Sequence, residues 1–156
     1  LDPFGVETVG VRYTPAKGGP TDAVYGFDEL HAALARTDYL VLACPLTETT
    51  AGLIDSDALL TLPTESFLVN IARGGVVDTD DLVGALQANR IAGAALDVTD
   101  PEPLPADHPL WGFNTVSITP HNAGHTPRYY ERTAEILADN IERYRNGETD
   151  FENRVV

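Results

Sequence analysis

Five short apolar runs govern what this chain can become: Thr8–Arg12, Tyr39–Ala43, Ser66–Ile71, Gly93–Val98 and Thr115–Ile118. They are rich in Val, Ile and Leu and show little alternation of apolar with polar residues. A strand with one wet face alternates, so runs without alternation are strands covered on both faces. Helical patterns separate them. Phe27, Leu30 and Leu34 share one helical face. Asp78 and Asp81 make a capped start, Leu82, Ala85 and Leu86 form the buried stripe behind it, and Gly93 lies beyond the end. A last helix is expected with Thr126 as cap and Pro127 in first position, running through Tyr130, Leu137, Ile141 and Tyr144 to a stop at Gly147. Strand and helix in repeated alternation predict an α/β fold, a doubly wound parallel sheet with helices on both faces. The opening Leu1-Asp2-Pro3-Phe4-Gly5 reads as the end of an element, and the tail after Gly147 is polar and expected to leave the domain.

The 156 residues are about one domain long, and a domain of this size buries roughly 70% of its unfolded surface. No stretch of about 18 apolar residues occurs, and no basic-then-apolar leader, so neither a membrane span nor a secretory signal is expected. The single cysteine, Cys44, cannot form an internal disulfide, which fits a cytoplasmic location. It lies in an apolar run before Pro45 and reads as an inert buried thiol. A net charge of −14 argues against nucleic acid and anionic membranes as partners. Lys17 is the one lysine against nine arginines, and acids crowd stretches such as Asp78-Thr79-Asp80-Asp81. A lysine-poor, acid-rich chain suits a halophilic protein, because salt screens its self-repulsion.

In an open parallel sheet, ligands bind outside the carboxyl ends of the strands. The residues that follow each run therefore matter. After the first come Arg12, Tyr13 and Thr14, and after the second Cys44-Pro45-Leu46-Thr47. After the third comes Asn70-Ile71-Ala72-Arg73-Gly74-Gly75, and after the fourth Asp97-Val98-Thr99-Asp100-Pro101-Glu102-Pro103. After the fifth comes His121. One rim would thus hold an arginine beside glycines, a carboxylate in a proline-stiffened loop, and a histidine. An arginine grips a carboxylate through two parallel hydrogen bonds. A histidine gives or takes a proton near neutral pH. A glutamate on one imidazole nitrogen fixes the tautomer and favours the protonated ring. Pattern alone leaves other roles open: Arg73 as a cap on a neighbouring helix, Glu102 as a solvated loop acid, His121 as a structural histidine. His31 reads as a surface residue, His108 as part of a turn, His125 as a neighbour of His121, and Trp111 as packing for its loop. No cluster has metal-ligand spacing, so no metal is expected, and no Ser-His-Asp or phosphate-loop signature occurs.

These motifs together resemble the D-isomer-specific 2-hydroxyacid dehydrogenases. CPLTETTAGLI (44–54) is similar to the family's adenine-side loop and the helix after it, and NIARGGVVD (70–78) to its arginine motif. ALDVTDPEPLPADHPLW (95–111) is similar to its glutamate loop, and SITPHNAG (117–124) to its histidine motif. The resemblance implies a Rossmann-like sheet. It implies that Arg73 binds the carboxylate and carbonyl of a 2-keto acid, that His121 is the acid/base, and that Glu102 orients it. It places Asp97 on the nicotinamide carboxamide, Ala72, Ala123 and Gly124 along the nicotinamide, and Pro45 and Thr50 on the adenosine side. The implied reaction is reversible reduction of a 2-keto acid to the D-2-hydroxy acid, by a protein that is a homodimer when full length. Glu102 in place of glutamine disfavours the formate dehydrogenase branch. A dinucleotide-sensing binding protein of corepressor type shares fold and triad, and stands as the alternative; turnover separates the two.

The chain departs from the family pattern twice. The Gly-rich phosphate loop, G-x-G-x-x-G, is absent, and in the family it precedes the Thr8–Arg12 strand together with the first, central strand. Residues 1–146 are therefore expected to be a partial dinucleotide-binding domain, and 147–156 a tail leading back to a substrate domain outside the chain. By this reading the chain is the C-terminal half of a longer enzyme, looks haloarchaeal, and is inactive alone. The second departure is Arg12, where NAD-preferring members carry an acid for the ribose 2′-hydroxyl. A cation there favours a 2′-phosphate. Tyr13, Thr14 and Lys17 add a stacking face, a hydroxyl and a second charge. NADP(H) is thus expected as the preferred cofactor, with NAD(H) possible if Arg12 only stacks on adenine.

Overall fold

The computed structural model describes residues 2–154. Four strands, β3 (Tyr39–Leu42), β4 (Phe67–Asn70), β5 (Gly93–Leu96) and β6 (Val116–Ile118), form one parallel sheet in the order β3-β4-β5-β6. Each lies inside one of the five apolar runs. The register pairs Leu42 with Asn70, Asn70 with Leu96, and Leu96 with Ile118, so the carboxyl ends of the strands are level. Whatever follows each strand is brought to the same rim.

One face of this sheet is packed. Leu42, Leu68, Ala94 and Leu96 point into a cluster with Leu30 and Leu34 of α1 (Leu30–Leu34), Ala58 and Leu59 of α2 (Ser56–Thr61), and Leu82, Ala85 and Leu86 of α3 (Thr79–Gln87). Burying such a leucine fully contributes about 1.5–3 kcal/mol. On the opposite face Tyr39 and Phe67, paired in register, stack at 5.8 Å and stay exposed with Val41. Two helices begin on carboxylates, at Asp78 as the sequence suggests and also at Asp55. Asp55 Oδ1 accepts from the Ala58 amide at 2.9 Å, and Asp78 Oδ1 from the Asp81 amide at 3.0 Å. These acids satisfy orphan amides and meet the positive ends of the helices. Asp81 in turn accepts from the Ser56 amide at 2.8 Å, tying α3 to the start of α2.

The remaining two strands form a separate parallel pair, β1 (Val9–Val11) and β2 (Ala23–Tyr25). Among the described residues no ladder joins β1 to β3, the place where the sequence reading lacks a central strand. β2 was not anticipated. Three residues behind Gly18-Gly19-Pro20 are too short to show a period, and the strand exists because β1 offers it an edge. Thr8 fastens the pair, donating from its amide and its hydroxyl to Asp22 Oδ2, each at 2.7 Å. Those bonds hold the Asp22 carboxyl below its ordinary range.

The chain forms two compact units, one up to His121 and one from Asn122 onward. The second contains α4 (Tyr129–Arg145). That helix starts later than expected. The Tyr129 amide donates to the Thr126 carbonyl at 3.0 Å, closing a turn, so Thr126 and Pro127 lead into the helix rather than begin it. Its C-terminus ends as anticipated, with Asn146 as cap and Gly147 at φ +78°. The tail returns to α4. Asn140 donates to the Glu152 carbonyl at 2.9 Å and accepts from the Glu152 amide at 2.8 Å, while Arg143 donates to the Asp150 carbonyl at 2.8 Å. Among the described residues no helix is long and apolar enough to cross a membrane.

Candidate active site

The chain leaves β6 in a tight turn. The Thr119 amide extends the ladder to the Leu96 carbonyl at 2.9 Å, Pro120 follows, and the His121 amide turns back to the Thr119 carbonyl at 3.0 Å. This puts His121 at φ +51°, a left-handed conformation that a side-chain-bearing residue rarely adopts. Such residues persist where surrounding structure holds them, and they cluster at functional sites. The ring lies against the loop after β5, where His121 Nδ1 meets Glu102 Oε1 at 2.7 Å. The hydrogen bond from His121 is the main cause holding the Glu102 carboxyl below its ordinary range. Side-chain exposures of 47% for His121 and 43% for Glu102 leave the pair open to solvent, so it adds little to stability.

The Glu102 loop is held from below. The Thr99 hydroxyl donates to the Pro101 carbonyl and the Thr79 hydroxyl to the Asp100 carbonyl, each at 2.9 Å. Gly74 lies so close that a Cβ there would stand 2.0 Å from the Thr99 carbonyl oxygen and 2.6 Å from the Asp100 nitrogen. Only glycine admits the Arg73 loop this near to the Glu102 loop.

Arg73 itself is set by Asn70, a buried residue at the end of β4 with 1% exposure. Asn70 Oδ1 accepts from the Ala72 amide and its Nδ2 donates to the Arg73 carbonyl, both at 3.0 Å. The Arg73 guanidinium donates to the Ala72 carbonyl at 2.6 Å, not to Glu102 or His121. It lines a cleft of about 520 Å³ with Ala43, Cys44, Pro45, Leu46, Ile71 and Ala72. Burial pushes the Cys44 thiol up, away from the reactive thiolate.

Asp97, at the end of β5, is buried, and its Oδ1 accepts from the Thr119 hydroxyl at 2.6 Å. Thr50 is buried too, donating to the Pro45 carbonyl at 2.6 Å and accepting from the Thr47 amide at 2.8 Å. Its hydroxyl thus shapes the 45–50 loop from within. Arg12 donates to the Gly18 carbonyl, closing the turn after β1, while Tyr13 is 81% exposed beside it. Thr14 begins a short 3-10 turn, Pro15–Lys17, without capping it through its side chain. Ala123 and Gly124 belong to the second unit.

The structure therefore joins Glu102 to His121 and sets Asp97, Arg73 and the Pro45 loop at strand ends of the same sheet. Asn70, Gly74, Thr79 and Thr119 escaped the sequence reading as positioning residues. Asn70 and Thr119 were visible as polar residues closing the apolar runs Phe67–Val69 and Val116–Ile118. The donor set fits a nicotinamide dinucleotide: an exposed guanidinium after one strand, a buried carboxylate after another, and an apolar cleft with small residues between. Among the described residues no three His, Cys, Asp or Glu side chains are grouped to hold a metal ion.

Residues 1–123 match the family model of the D-isomer specific 2-hydroxyacid dehydrogenase NAD binding domain. The chain is 43% identical over 122 residues to a glyoxylate reductase of Thermofilum pendens, covering 78% of this chain and 36% of that protein. It is 38% identical over 144 residues to a Homo sapiens glyoxylate reductase/hydroxypyruvate reductase, covering 90% of this chain and 43% of that protein. The solved structure of a D-isomer specific 2-hydroxyacid dehydrogenase from Xanthobacter autotrophicus Py2, in complex with NADPH and MES, superposes with a TM-score of 0.87 at 34% identity, covering 97% of this chain and 62% of that one. The chain spans less than half the length of these two reductases. It belongs to the D-isomer specific 2-hydroxyacid dehydrogenase family.

Proposed function

From that membership we propose that the chain carries the acid/base and cofactor half of an oxidoreductase that reduces a 2-keto acid to the D-2-hydroxy acid, with NADPH preferred and NADH accepted. The contact between Glu102 and His121 at 2.7 Å carries the reading. Because the carboxylate takes Nδ1, Nε2 is the ring nitrogen left to face a substrate. His121 Nε2 supplies the proton to the keto oxygen, and Glu102 holds the ring in place. Arg73 grips the substrate carboxylate and stabilises the charge that builds on the oxygen. The nicotinamide, when bound, supplies the hydride to C2. Ala72 and Asp97 hold its nicotinamide end, Pro45 and the Thr50-braced loop its adenosine side, and Arg12, Tyr13 and Thr14 its ribose 2′-phosphate end. The proposed assembly is a homodimer in the cytoplasm, which gel filtration of the native protein tests.

The experiment is oxidation of NADPH and NADH by the natural full-length polypeptide, at high salt, over a panel of 2-keto acids, with chiral analysis of the product. Turnover to the D-hydroxy acid, lost in His121→Ala, is the expected result. Dinucleotide binding without turnover of any acid overturns the enzyme reading in favour of a binding protein.

A further inference from the structure

Thr119 makes three bonds that run to three different places. Its amide donates to the Leu96 carbonyl at 2.9 Å and so belongs to the sheet. Its carbonyl accepts the His121 amide at 3.0 Å and so sets the turn that holds His121 at φ +51°. Its hydroxyl donates at 2.6 Å to Oδ1 of Asp97, a residue only 6% exposed. The Asp97 amide is itself fixed, donating to the Asn70 carbonyl at 2.9 Å. One residue thus relates the proton-bearing ring to the buried carboxylate, and both to the ends of β4 and β5.

We propose that Thr119 is a positioning residue, which holds the Asp97 carboxylate in the rotamer that receives the nicotinamide carboxamide while its backbone aims His121. The inference rests on the reading of the site as a nicotinamide-dependent dehydrogenase. The hydroxyl and the carbonyl do separate work, and this makes the two roles separable. Thr119→Val keeps the branched shape and the carbonyl but deletes the hydroxyl that donates to Asp97 Oδ1. Thr119→Ser keeps that hydroxyl. Removing one of the bonds that orient a buried carboxylate loosens its aim, and a misaimed polar partner is costly in a dry site.

The test measures reduced-cofactor affinity by fluorescence titration, alongside kcat, the KM for keto acid, and thermal midpoint, in the natural full-length polypeptide. T119V is expected to weaken cofactor binding roughly five- to tenfold. The pH dependence of kcat and the KM for keto acid stay as in the parent, and T119S restores binding to within about twofold. In combination with Asp97→Asn, T119V adds no further loss, since it acts through that carboxylate. Thr119→Ala gives the same comparison if T119V does not fold. Unchanged cofactor affinity in a folded T119V or T119A protein overturns the proposal. So does a further loss when T119V is added to D97N, or a thermal midpoint that falls while affinity holds. A parent protein that binds no nicotinamide dinucleotide fails differently: it removes the dehydrogenase reading, and this inference with it.

Discussion

Glu102 and His121 stand 19 residues apart in sequence and 2.7 Å apart in space. Two loops on neighbouring strands, β5 and β6, make the meeting. The Glu102 loop is pinned to Gly74 and Thr79, and the His121 turn is pinned to Thr119. The side chains stay about half exposed while both backbones are braced by these contacts.

The first prediction concerns pH. The hydrogen bond from His121 lowers the Glu102 carboxyl, so Glu102 is ionised at neutral pH and loses its charge only below the ordinary carboxylate range. A group with a lowered folded value contributes its pairing above the unfolded value and loses it as pH falls through the folded one. The contact should therefore persist through mild acid. Glu102→Gln keeps the shape of the side chain and takes away the anionic acceptor that holds the ring. Its rate is expected to drop roughly ten- to a hundredfold at neutral pH, and the gap to the parent to close only in strong acid, where the parent's own carboxylate loses its charge. Stopped-flow pH profiles check this, and matching profiles for parent and E102Q count against the pair.

A second prediction sets two glycines against each other. Gly74→Ala drives a methyl group into the Thr99 backbone, 2.0 Å from its oxygen, with no flexible side chain to yield. It should cost about 3 kcal/mol, the upper end of overpacking. Gly84 lies inside α3, where an added Cβ meets nothing within 4 Å. Gly84→Ala should stabilise by about 0.5–1 kcal/mol through helix propensity alone. Urea midpoints of both variants test the close approach. A neutral G74A would mean that the two loops can separate.

The strands were legible because short apolar runs with little alternation stand out between helical patterns, and each run from Tyr39 onward contains a strand within two residues of its expected ends. β2 was not, since three residues carry no period and owe their form to β1. A threonine before a proline imitates a cap and predicts the start of α4 two residues early, whereas the chain there first closes a turn onto Thr126. The placement of Arg73, Glu102 and His121 after strand ends could be read from the order of runs and polar residues. Thr119 and Asn70 could not be assigned partners, since Thr119 reaches Asp97 across 22 residues and sequence proximity says nothing about that. Tyr39, Val41 and Phe67 fit the expectation of a doubly covered sheet by composition, although this face is exposed in the structure.

Ser66 offers a third prediction. It is fully buried at the start of β4, and its Oγ has no hydrogen-bond partner among the described residues. A buried hydroxyl without a partner costs about 1–3 kcal/mol. Ser66→Ala should leave the fold intact and raise stability by roughly 1 kcal/mol. Chemical denaturation decides it: a clear loss of stability would show that the hydroxyl is bonded, for example to an internal water.

The fourth prediction tests cofactor choice at Arg12. Its guanidinium already donates to the Gly18 carbonyl, so the cation is held over the turn where a 2′-phosphate is proposed to sit. Arg12→Ala should raise the KM for NADPH about tenfold or more and leave that for NADH within about twofold. An equal effect on both cofactors would reduce Arg12 to a stacking surface or a turn brace.

The last prediction follows from charge. The net charge is −14, from 24 acidic residues against 10 lysines and arginines. Among the described residues, ion pairs join Glu7 to Arg36 and Glu131 to Arg128, and Glu102 meets His121. Acids that crowd one another, as at Asp78, Asp80 and Asp81, repel. The screening length shrinks from about 10 Å at 0.1 M salt to about 3 Å at 1 M. Repulsion between carboxylates on neighbouring turns and loops then fades, and the folded state, which crowds them, gains more than the unfolded one. The thermal midpoint should climb steadily from 0.1 to 2 M KCl. A variant with several surface acids replaced by glutamine or lysine, such as at Asp80, Glu135 and Glu142, should climb less. Choline chloride serves as a second salt, to separate screening from specific cation binding. A midpoint indifferent to both salts would mark the protein as merely acidic, and would remove the halophilic reading.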